Sequence, residues 1–434
     1  MKNTVCRDAG PCGLLAAFGS HAGQPVTGPV QTVTRNPAKA AFYMVFVIAQ
    51  GGGPTAVINA SVAGAVLEAR QRYPGTKVLG ARHGIRGIRL GDFIDLSSLT
   101  ENELYRLAAT PNAALGSTRD KPDQSYCADI LEGLQRASAN ALIYVGGNDT
   151  AATQDLLADA AGDSIAFIHV PKTIDNDLVE NDHTPGFISA AWFTASAFLS
   201  CDLDFRAMPG IYVGIVMGRH AGFLTAAGAA WRQRDSDGPH LVYMPERPFS
   251  IAKFIDDVAR IHDRFGRCVV AMSEGVQGED GQPLAQGILG QQMERDAHGN
   301  VRLGGGELGV AIQQAIKTAM PATRARVDTF GYLPRAFATM IAEHDRQEAV
   351  DAGRFAVAFC EKGSGSVALK SEGDRIVFRR VPLAAVAGKT RLMPPEFIAP
   401  AGNCLTDAGM AYLTRLIPKA PDTLPPFEKY NAPD

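Results

Sequence analysis

The sequence lacks an uninterrupted apolar run of the roughly 18 residues needed to cross a bilayer. The longest such stretch near its start, Ala40 to Ala49, is strand-sized. It has no CxxC pair. Its seven cysteines lie scattered at positions 6, 12, 127, 201, 268, 360 and 404. An odd, dispersed set argues against a disulfide framework and fits a reducing cytoplasm. Net charge is small, −3 over 434 residues, so the overall balance does not call for nucleic acid as partner. There is no repeat of fixed period and no low-complexity tract, so solenoids are set aside, and the first glycine-rich run, at Gly51–Gly53, is neither GxGxxG nor GxxxxGK[ST].

What remains is ordinary globular material. Hydrophobic residues make up 46% and charged residues 20%, enough for a large core, and the length suits two or three domains. An anion-binding function would require positive charge gathered locally. Residues 1–40, rich in Gly, Pro, Ala and Thr, show no sustained periodicity and read as a flexible extension. They are poor in acids but lack a clear apolar core with a cleavage site.

From about Ala41 the pattern becomes apolar strand, turn, helix, repeated. Strands are expected at Phe42–Ala49, Lys77–Ala81, Ala141–Val145, Ser164–Val170, Tyr212–Met217, Leu241–Met244 and Cys268–Ser273. Helices are expected at Ala56–Arg70, Ala151–Ala161, Ser189–Leu203, Ala221–Trp231, Ile251–Phe265 and Gly309–Ala319. Alternation of this kind implies parallel sheets, whose ligands bind beyond the carboxyl ends of the strands. The Pro-rich stretch from Thr406 is expected to wrap the surface as a tail.

Each unusual polar motif falls at such a strand end. Gln50-Gly51-Gly52-Gly53-Pro54-Thr55 joins a strand to a helix, where missing side chains let backbone amides approach an anion; a plain tight turn is equally compatible. Gly146-Gly147-Asn148-Asp149-Thr150 offers oxygen ligands for Mg²⁺, or a common helix N-cap. Pro171-Lys172-Thr173-Ile174-Asp175-Asn176-Asp177 packs a cation, a hydroxyl and two carboxylates together. A carboxylate there can accept a substrate proton and a lysine can offset charge on a transferred group. The competing reading is a polar surface loop with Asx turns. Met217-Gly218-Arg219-His220-Ala221-Gly222 places an arginine able to clamp a phosphate. His220 itself reads as an ordinary helix-start histidine. Ser273-Glu274-Gly275 offers a carboxylate to sugar hydroxyls, or a turn. Arg324, Arg326 and Gly331-Tyr332-Leu333-Pro334-Arg335 form a phosphate pocket or solvated surface charge.

In this order and spacing the motifs resemble the phosphofructokinase family, over about Phe42 to Gly353. The resemblance implies two Rossmann-like three-layer α/β domains with mostly parallel sheets and the active site in the cleft between them. It implies a donor domain of residues 41–186 plus 336–405, a fructose 6-phosphate domain of 187–335, and a tail of 406–434. It assigns Asp175 as proton acceptor, with Thr173, Ile174 and Asp177 in the same loop. It assigns Met217, Gly218 and Arg219 as the sugar-phosphate turn and Glu274 as a sugar contact. Tyr332 and Arg335 match the 6-phosphate grip, and Arg326 an arginine that reaches across a subunit interface. Gly52, Gly53, Gly147 and Arg119 are similar to the donor-phosphate residues. Asn148 and Asp175 stand at the Mg²⁺ position, although many relatives carry aspartate at the former.

Two residues bear on the donor. ATP-using members usually carry glycine where this chain has Asp149 and Lys172; the pyrophosphate-using branch has both side chains. A carboxylate at 149 would repel the α-phosphate of a nucleotide, and an ammonium at 172 would meet a bare leaving phosphate. The expectation is therefore reversible, pyrophosphate-dependent phosphorylation of fructose 6-phosphate by a homodimer or other homo-oligomer. Two enzymatic alternatives stay open, an ATP-dependent enzyme and one acting on sedoheptulose 7-phosphate. A silent sugar-phosphate-binding subunit is the alternative outside catalysis.

Overall fold

Aliphatic and β-branched runs that stop at glycine or proline become the central strands. The computed structural model describes residues 44–284, 306–373 and 375–422, so the expectations for residues 1–40 and 423–434 lie outside the described part. In the first sheet, β1 (Val45–Gln50), β4 (Ala141–Gly146) and β5 (Ala166–Pro171) are buried almost throughout. The full order adds β2 (Lys77–Ala81), β3 (Phe93–Asp95), β10 (Gly365–Glu372) and β11 (Arg375–Val381), giving β11-β10-β5-β4-β1-β2-β3. The edge strands β3 and β11 pair antiparallel and the rest parallel. The second sheet runs β7 (Leu241–Tyr243), β8 (Cys268–Ser273), β6 (Ile211–Val216), β9 (Ala325–Thr329), all parallel. The mostly parallel α/β expectation therefore holds.

The period of two along each strand sorts side chains onto opposite faces. Phe46 and Ile48 of β1, with Ile143 and Val145 of β4, pack against helices α1 (Ile58–Arg72) and α10 (Glu343–Ala358). Val47 and Ala49, with Leu142 and Tyr144, pack on the other face against α2 (Ile85–Leu90) and α4 (Gln124–Arg136). Helices α1 and α10 touch backbone to backbone, since a Cβ on Gly64 would lie 2.0 Å from the Val350 carbonyl oxygen. In the second sheet, Tyr212 and Val216 face α6 (Phe187–Ala207) and α7 (Phe223–Ala227). Ile211, Val213 and Ile215 face α8 (Ile251–Phe265) and α9 (Glu307–Ala319). The remaining helices are α3 (Glu101–Ala108), α5 (Asn148–Ala161), α11 (Leu383–Val386) and α12 (Asp407–Leu416). No helix among the described residues is long and apolar enough to cross a membrane.

Strand order places the site. The chain leaves β1 for β2 on one side and returns as β4 on the other. The carboxyl ends of β1 and β4, carrying Gly51–Gly53 and Gly147–Asp149, thus flank a topological switch point, where α/β sheets bind ligands. In the second sheet, β8 and β9 flank β6 in the same way.

The structure departs from the sequence expectations in three places. The helix expected at Ala221–Trp231 spans only Phe223–Ala227, bracketed by Gly222 and Gly228. Arg326, expected in a phosphate pocket, lies on edge strand β9, where it is exposed and donates to the Ala325 carbonyl at 3.0 Å. The alternation of inward Ala325 and Val327 with outward Arg326 and Asp328 is that of a half-buried strand. The tail expected from Thr406 opens with α12 instead. The Thr406 hydroxyl caps it by accepting from the Gly409 amide at 3.3 Å, and Leu413 and Leu416 are buried in the second core with Met393 and Ile398.

One buried ionic link joins the segment after β5 to α10 and α12. His183 lies between Asp182 (2.8 Å) and Glu348 (2.6 Å), and Arg415 pairs with Asp182 at 2.7 Å. Burial alone would lower the His183 pKa, but hydrogen bonds to both carboxylates overcome it and raise the value from 6.5 to about 9. A folded pKa above the unfolded one gives stability that is complete below 6.5 and lost as pH rises through about 9. Melting temperature is therefore expected to fall across that window, with a flatter slope in His183→Gln. Parallel profiles for the two proteins would remove His183 as the source.

Candidate active site

Loops from the carboxyl ends of β1, β4, β5, β6 and β8, with the turn after β9, converge on a cavity of about 400 Å³. Of the residues singled out from sequence, Gly52, Gly53, Arg119, Gly147, Asn148, Asp149, Lys172, Thr173, Ile174, Asp175, Asp177, Met217, Arg219, Glu274 and Arg335 line it. Three do not. Gly218 is the link between Met217 and Arg219, its carbonyl accepting the Ser273 hydroxyl at 2.6 Å and so tying the β6 turn to β8. Tyr332 is exposed and backs the Arg335 guanidinium, which lies 4.4 Å over its ring. Arg326 is held on β9 as described.

The glycine run works differently from the expectation of open amides. The Gly51 and Gly52 amides are taken by the carbonyls of Val145 and Thr118, both at 2.9 Å, and the Ser117 hydroxyl donates to the Gly52 carbonyl at 2.6 Å. The run thereby clamps the loop that carries Arg119. Its bareness makes room for cations. A Cβ on Gly53 would lie 3.1 Å from the Arg335 guanidinium carbon, and the Gly53 carbonyl accepts from Lys172 Nζ at 2.8 Å.

Lys172 is 4% exposed. Burial, with Arg335 and Arg119 nearby, lowers its pKa to about 7. Asp175 is pushed upward by burial, against the pull of Arg335, Lys172, His220 and Arg219. Burial and the neighbouring Asp175 bring Asp177 to about 7, and burial with Asp175 brings Glu274 to about 7. Perturbed carboxylates and a perturbed lysine gathered in one cleft form the pattern of a proton-handling site. Opposite charges are buried together here because neither sign would be tolerated alone.

In the second glycine turn neither Asn148 nor Asp149 serves as the helix cap. Gly147 is the N-cap of α5 and no side chain caps it. Asn148 Nδ2 instead donates to Asp177 Oδ2 at 3.3 Å. The oxygens Asn148 Oδ1 and Asp175 Oδ1 are buried and, among the described residues, without hydrogen-bond partners. Neutral and carboxylate oxygens of this kind suit Mg²⁺. Among the described residues no group of three or more His, Cys, Asp and Glu could hold a metal, so substrate phosphates would supply the remaining ligands.

Asp149 lines the cavity but is 67% exposed and pairs with Lys121 at 3.1 Å. Lys121 escaped the sequence reading, although it stands two residues after Arg119, in the loop between α3 and α4. That loop is anchored by Asp120, which accepts from Arg86 at 2.7 Å and from the Tyr126 hydroxyl at 2.7 Å. His220, read as an ordinary helix-start residue, lines the cavity, as do Gly388 and Thr390. Nothing in the sequence near 388–390 signalled a role, because that segment reaches the site from an unrelated part of the chain.

A phosphofructokinase family model matches residues 45–360. The pyrophosphate--fructose 6-phosphate 1-phosphotransferase of Rhodospirillum rubrum is 47% identical over 86% of this chain and 93% of its own length. The protein of the same name from Xanthomonas campestris pv. campestris is 36% identical over 85% of this chain and 90% of its own length. Among solved structures, the pyrophosphate-dependent phosphofructokinase of Marinobacter aquaeolei superposes with a TM-score of 0.76 at 30% identity, covering 89% of this chain and 94% of that one.

The charge on Lys172 can be tested with sulfate, a tetrahedral anion that does not titrate near neutrality. Its lysine loses charge as pH rises past about 7, so sulfate affinity measured by calorimetry is expected to weaken on that limb. Lys172→Met should bind weakly at every pH, with no limb. A limb that survives the substitution belongs to another group.

Proposed function

The chain belongs to the phosphofructokinase family, and on that premise we propose that its cavity transfers a phosphoryl group from pyrophosphate to the 1-hydroxyl of fructose 6-phosphate, giving fructose 1,6-bisphosphate and phosphate. The observation that carries the choice of donor is that Asp149 and Lys172 both line the cavity that holds Asp175. A carboxylate at the rim opposes a nucleotide's additional phosphate, and the buried ammonium meets the phosphate that leaves. The names of the relatives support the same reading.

Asp175 accepts the proton of the 1-hydroxyl as that oxygen attacks phosphorus in line, and the bond to the bridging oxygen of pyrophosphate breaks to release phosphate. Burial raises the Asp175 pKa, which makes it a stronger base than a surface aspartate. Lys172 and Arg119 offset charge on the donor, and Arg335 and Arg219 hold the sugar phosphate, with Glu274 accepting from sugar hydroxyls. Mg²⁺ would be held by Asn148, Asp175 and the substrates, and would neutralise charge on the transferred group. Thr173, Ile174 and Met217 shape the wall between them.

The donor half of the enzyme is residues 41–186 with α10, β10 and β11 of the return after Arg335, and the fructose 6-phosphate half is 187–335, whose core also takes in Met393, Ile398 and α12. We place the enzyme in the cytoplasm, as a homodimer or other homo-oligomer. The edge position of β9 and Arg326 supports the oligomer, because it leaves backbone groups and a guanidinium open to a second copy.

Two measurements test the reading. Breaking pyrophosphate and making a phosphate ester are close in energy, so the purified protein should form pyrophosphate from fructose 1,6-bisphosphate and phosphate as well as the reverse. Turnover with ATP equal to that with pyrophosphate would sink the donor assignment. Asp175→Ala should lower turnover by about 10²–10⁴ and leave fructose 6-phosphate binding measurable by calorimetry; full turnover in that variant means another group is the base.

A further inference from the structure

The loop that carries Asp175 and Asp177 has a residue between them that does not face the cavity. Asn176 is fully buried and takes a left-handed backbone conformation, φ 58°. A non-glycine residue holds that conformation only when its surroundings fix it. The surroundings here come from the far end of the chain. Asn176 Nδ2 donates to the Tyr412 hydroxyl at 2.8 Å, and that hydroxyl donates onward to the Asp182 carbonyl at 2.7 Å. Tyr412 belongs to α12, in the segment expected to be a surface tail.

Other parts of the same C-terminal segment grip the loop from neighbouring points. The Arg391 amide donates to the Asp177 carbonyl at 2.7 Å, and Arg391 Nη1 to the Asp182 carbonyl at 2.6 Å. The Arg391 guanidinium lies 4.7 Å over the Phe223 ring, just beyond the turn that carries Arg219 and His220. Arg415 holds the Asp182 carboxylate. On the other side, the Thr184 hydroxyl donates to the Thr173 carbonyl at 2.9 Å. The loop is therefore fixed at Thr173, Asn176 and Asp177. At Asn176 the side-chain amide nitrogen is held by the Tyr412 hydroxyl, while the Thr184 hydroxyl lies 3.5 Å from Asn176 Oδ1.

We propose that Tyr412 is a positioning residue for phosphoryl transfer: its hydroxyl locks Asn176, and so the backbone between Asp175 and Asp177, in the geometry that aims the base at the acceptor. This rests on the assignment of Asp175 as the base. Tyr412 does not line the cavity, so its loss leaves the substrate-binding groups in place. Removing the hydroxyl leaves a buried side-chain amide without its acceptor, and a buried polar group in that state rearranges to find another. The rearrangement occurs next to the base. A displacement of about 1 Å in a catalytic group costs on the order of 10²-fold in rate.

The experiment is steady-state kinetics on the full chain, with pyrophosphate and fructose 6-phosphate, well below the melting temperature of every variant. Tyr412→Phe is expected to lower kcat about 10- to 100-fold and to leave both KM values within about two-fold. Phe397→Leu serves as the structural control. The Phe397 ring packs 5.2 Å from that of Tyr412, so the substitution loosens the same helix without touching the hydroxyl. It should lower the melting temperature and spare kcat. Asn176→Gly tests the link directly, since glycine tolerates the backbone conformation but loses the amide. The loss of kcat in the double variant Asn176→Gly with Tyr412→Phe should be no greater than in the worse single one. Unchanged kcat in Tyr412→Phe, equal losses in Tyr412→Phe and Phe397→Leu, or additive losses in the double variant each overturn the proposal. None of these outcomes reflects on Asp175 as base, which Asp175→Ala tests separately.

Discussion

A buried ammonium ion organises the site. Lys172 leaves the end of β5, crosses to the end of β1 and donates to the Gly53 carbonyl at 2.8 Å. A lysine at that depth must be compensated, and the groups that compensate it are those the chemistry needs. Asp175 and Asp177 raise its pKa, while Arg335 and Arg119 lower it. The balance leaves a cation at about 7 in one cleft with Asp177 and Glu274, which burial and the neighbouring Asp175 also bring to about 7. Small changes in substrate charge can therefore move protons within the cluster. The same interaction is structural, because it links the turns after β1 and β5 across β4.

Much of this arrangement was legible in the sequence, for a definite reason. In parallel sheets the central strands are short apolar runs and the reactive loops follow them directly, so motif and position identify each other. β2, β8 and α8 have the residue limits expected from sequence. The polar loop from Lys172 to Asp177 lies where a strand ends. What escaped were elements whose signal is local and amphipathic. Helix α3 is announced by a capping box, with Thr100 and Glu103 each bonding the other's backbone. Its apolar face shows only as Leu104 and Ala108. β9 and the β10–β11 hairpin carry charged residues on their outward faces, and no strand was expected there. α12 was hidden by the prolines that follow it, although Leu413, Leu416 and Ile417 keep helical spacing.

The site residues divide in the same way. Those contributed by strand-end loops were found, apart from His220 after β6. Lys121, Thr390 and Tyr412 were not, because each acts through a partner distant in sequence. Tyr332 was found, and it stands beside the cavity rather than in its wall. Its ring supports Arg335 from outside, and a sequence cannot separate a residue that touches a ligand from one that aims the residue that does.

Donor selection needs more than repulsion by one carboxylate. Asp149 is two-thirds exposed and paired with Lys121, and an exposed, paired charge exerts a weak, salt-screened field. Its opposition to a nucleotide is then largely a matter of occupied space and of the paired lysine's position at the cavity rim. Lys172, shielded from solvent, exerts the stronger field on whatever phosphate lies beside it. On the proposed reading the discrimination is a division of labour: Asp149 and Lys121, paired on the cavity wall, would stand against a longer donor, and Lys172 would favour a compact anion. On this view Lys121 belongs to the donor-selecting apparatus as much as Asp149 does. Neither side chain can be altered without changing the position and charge of the other.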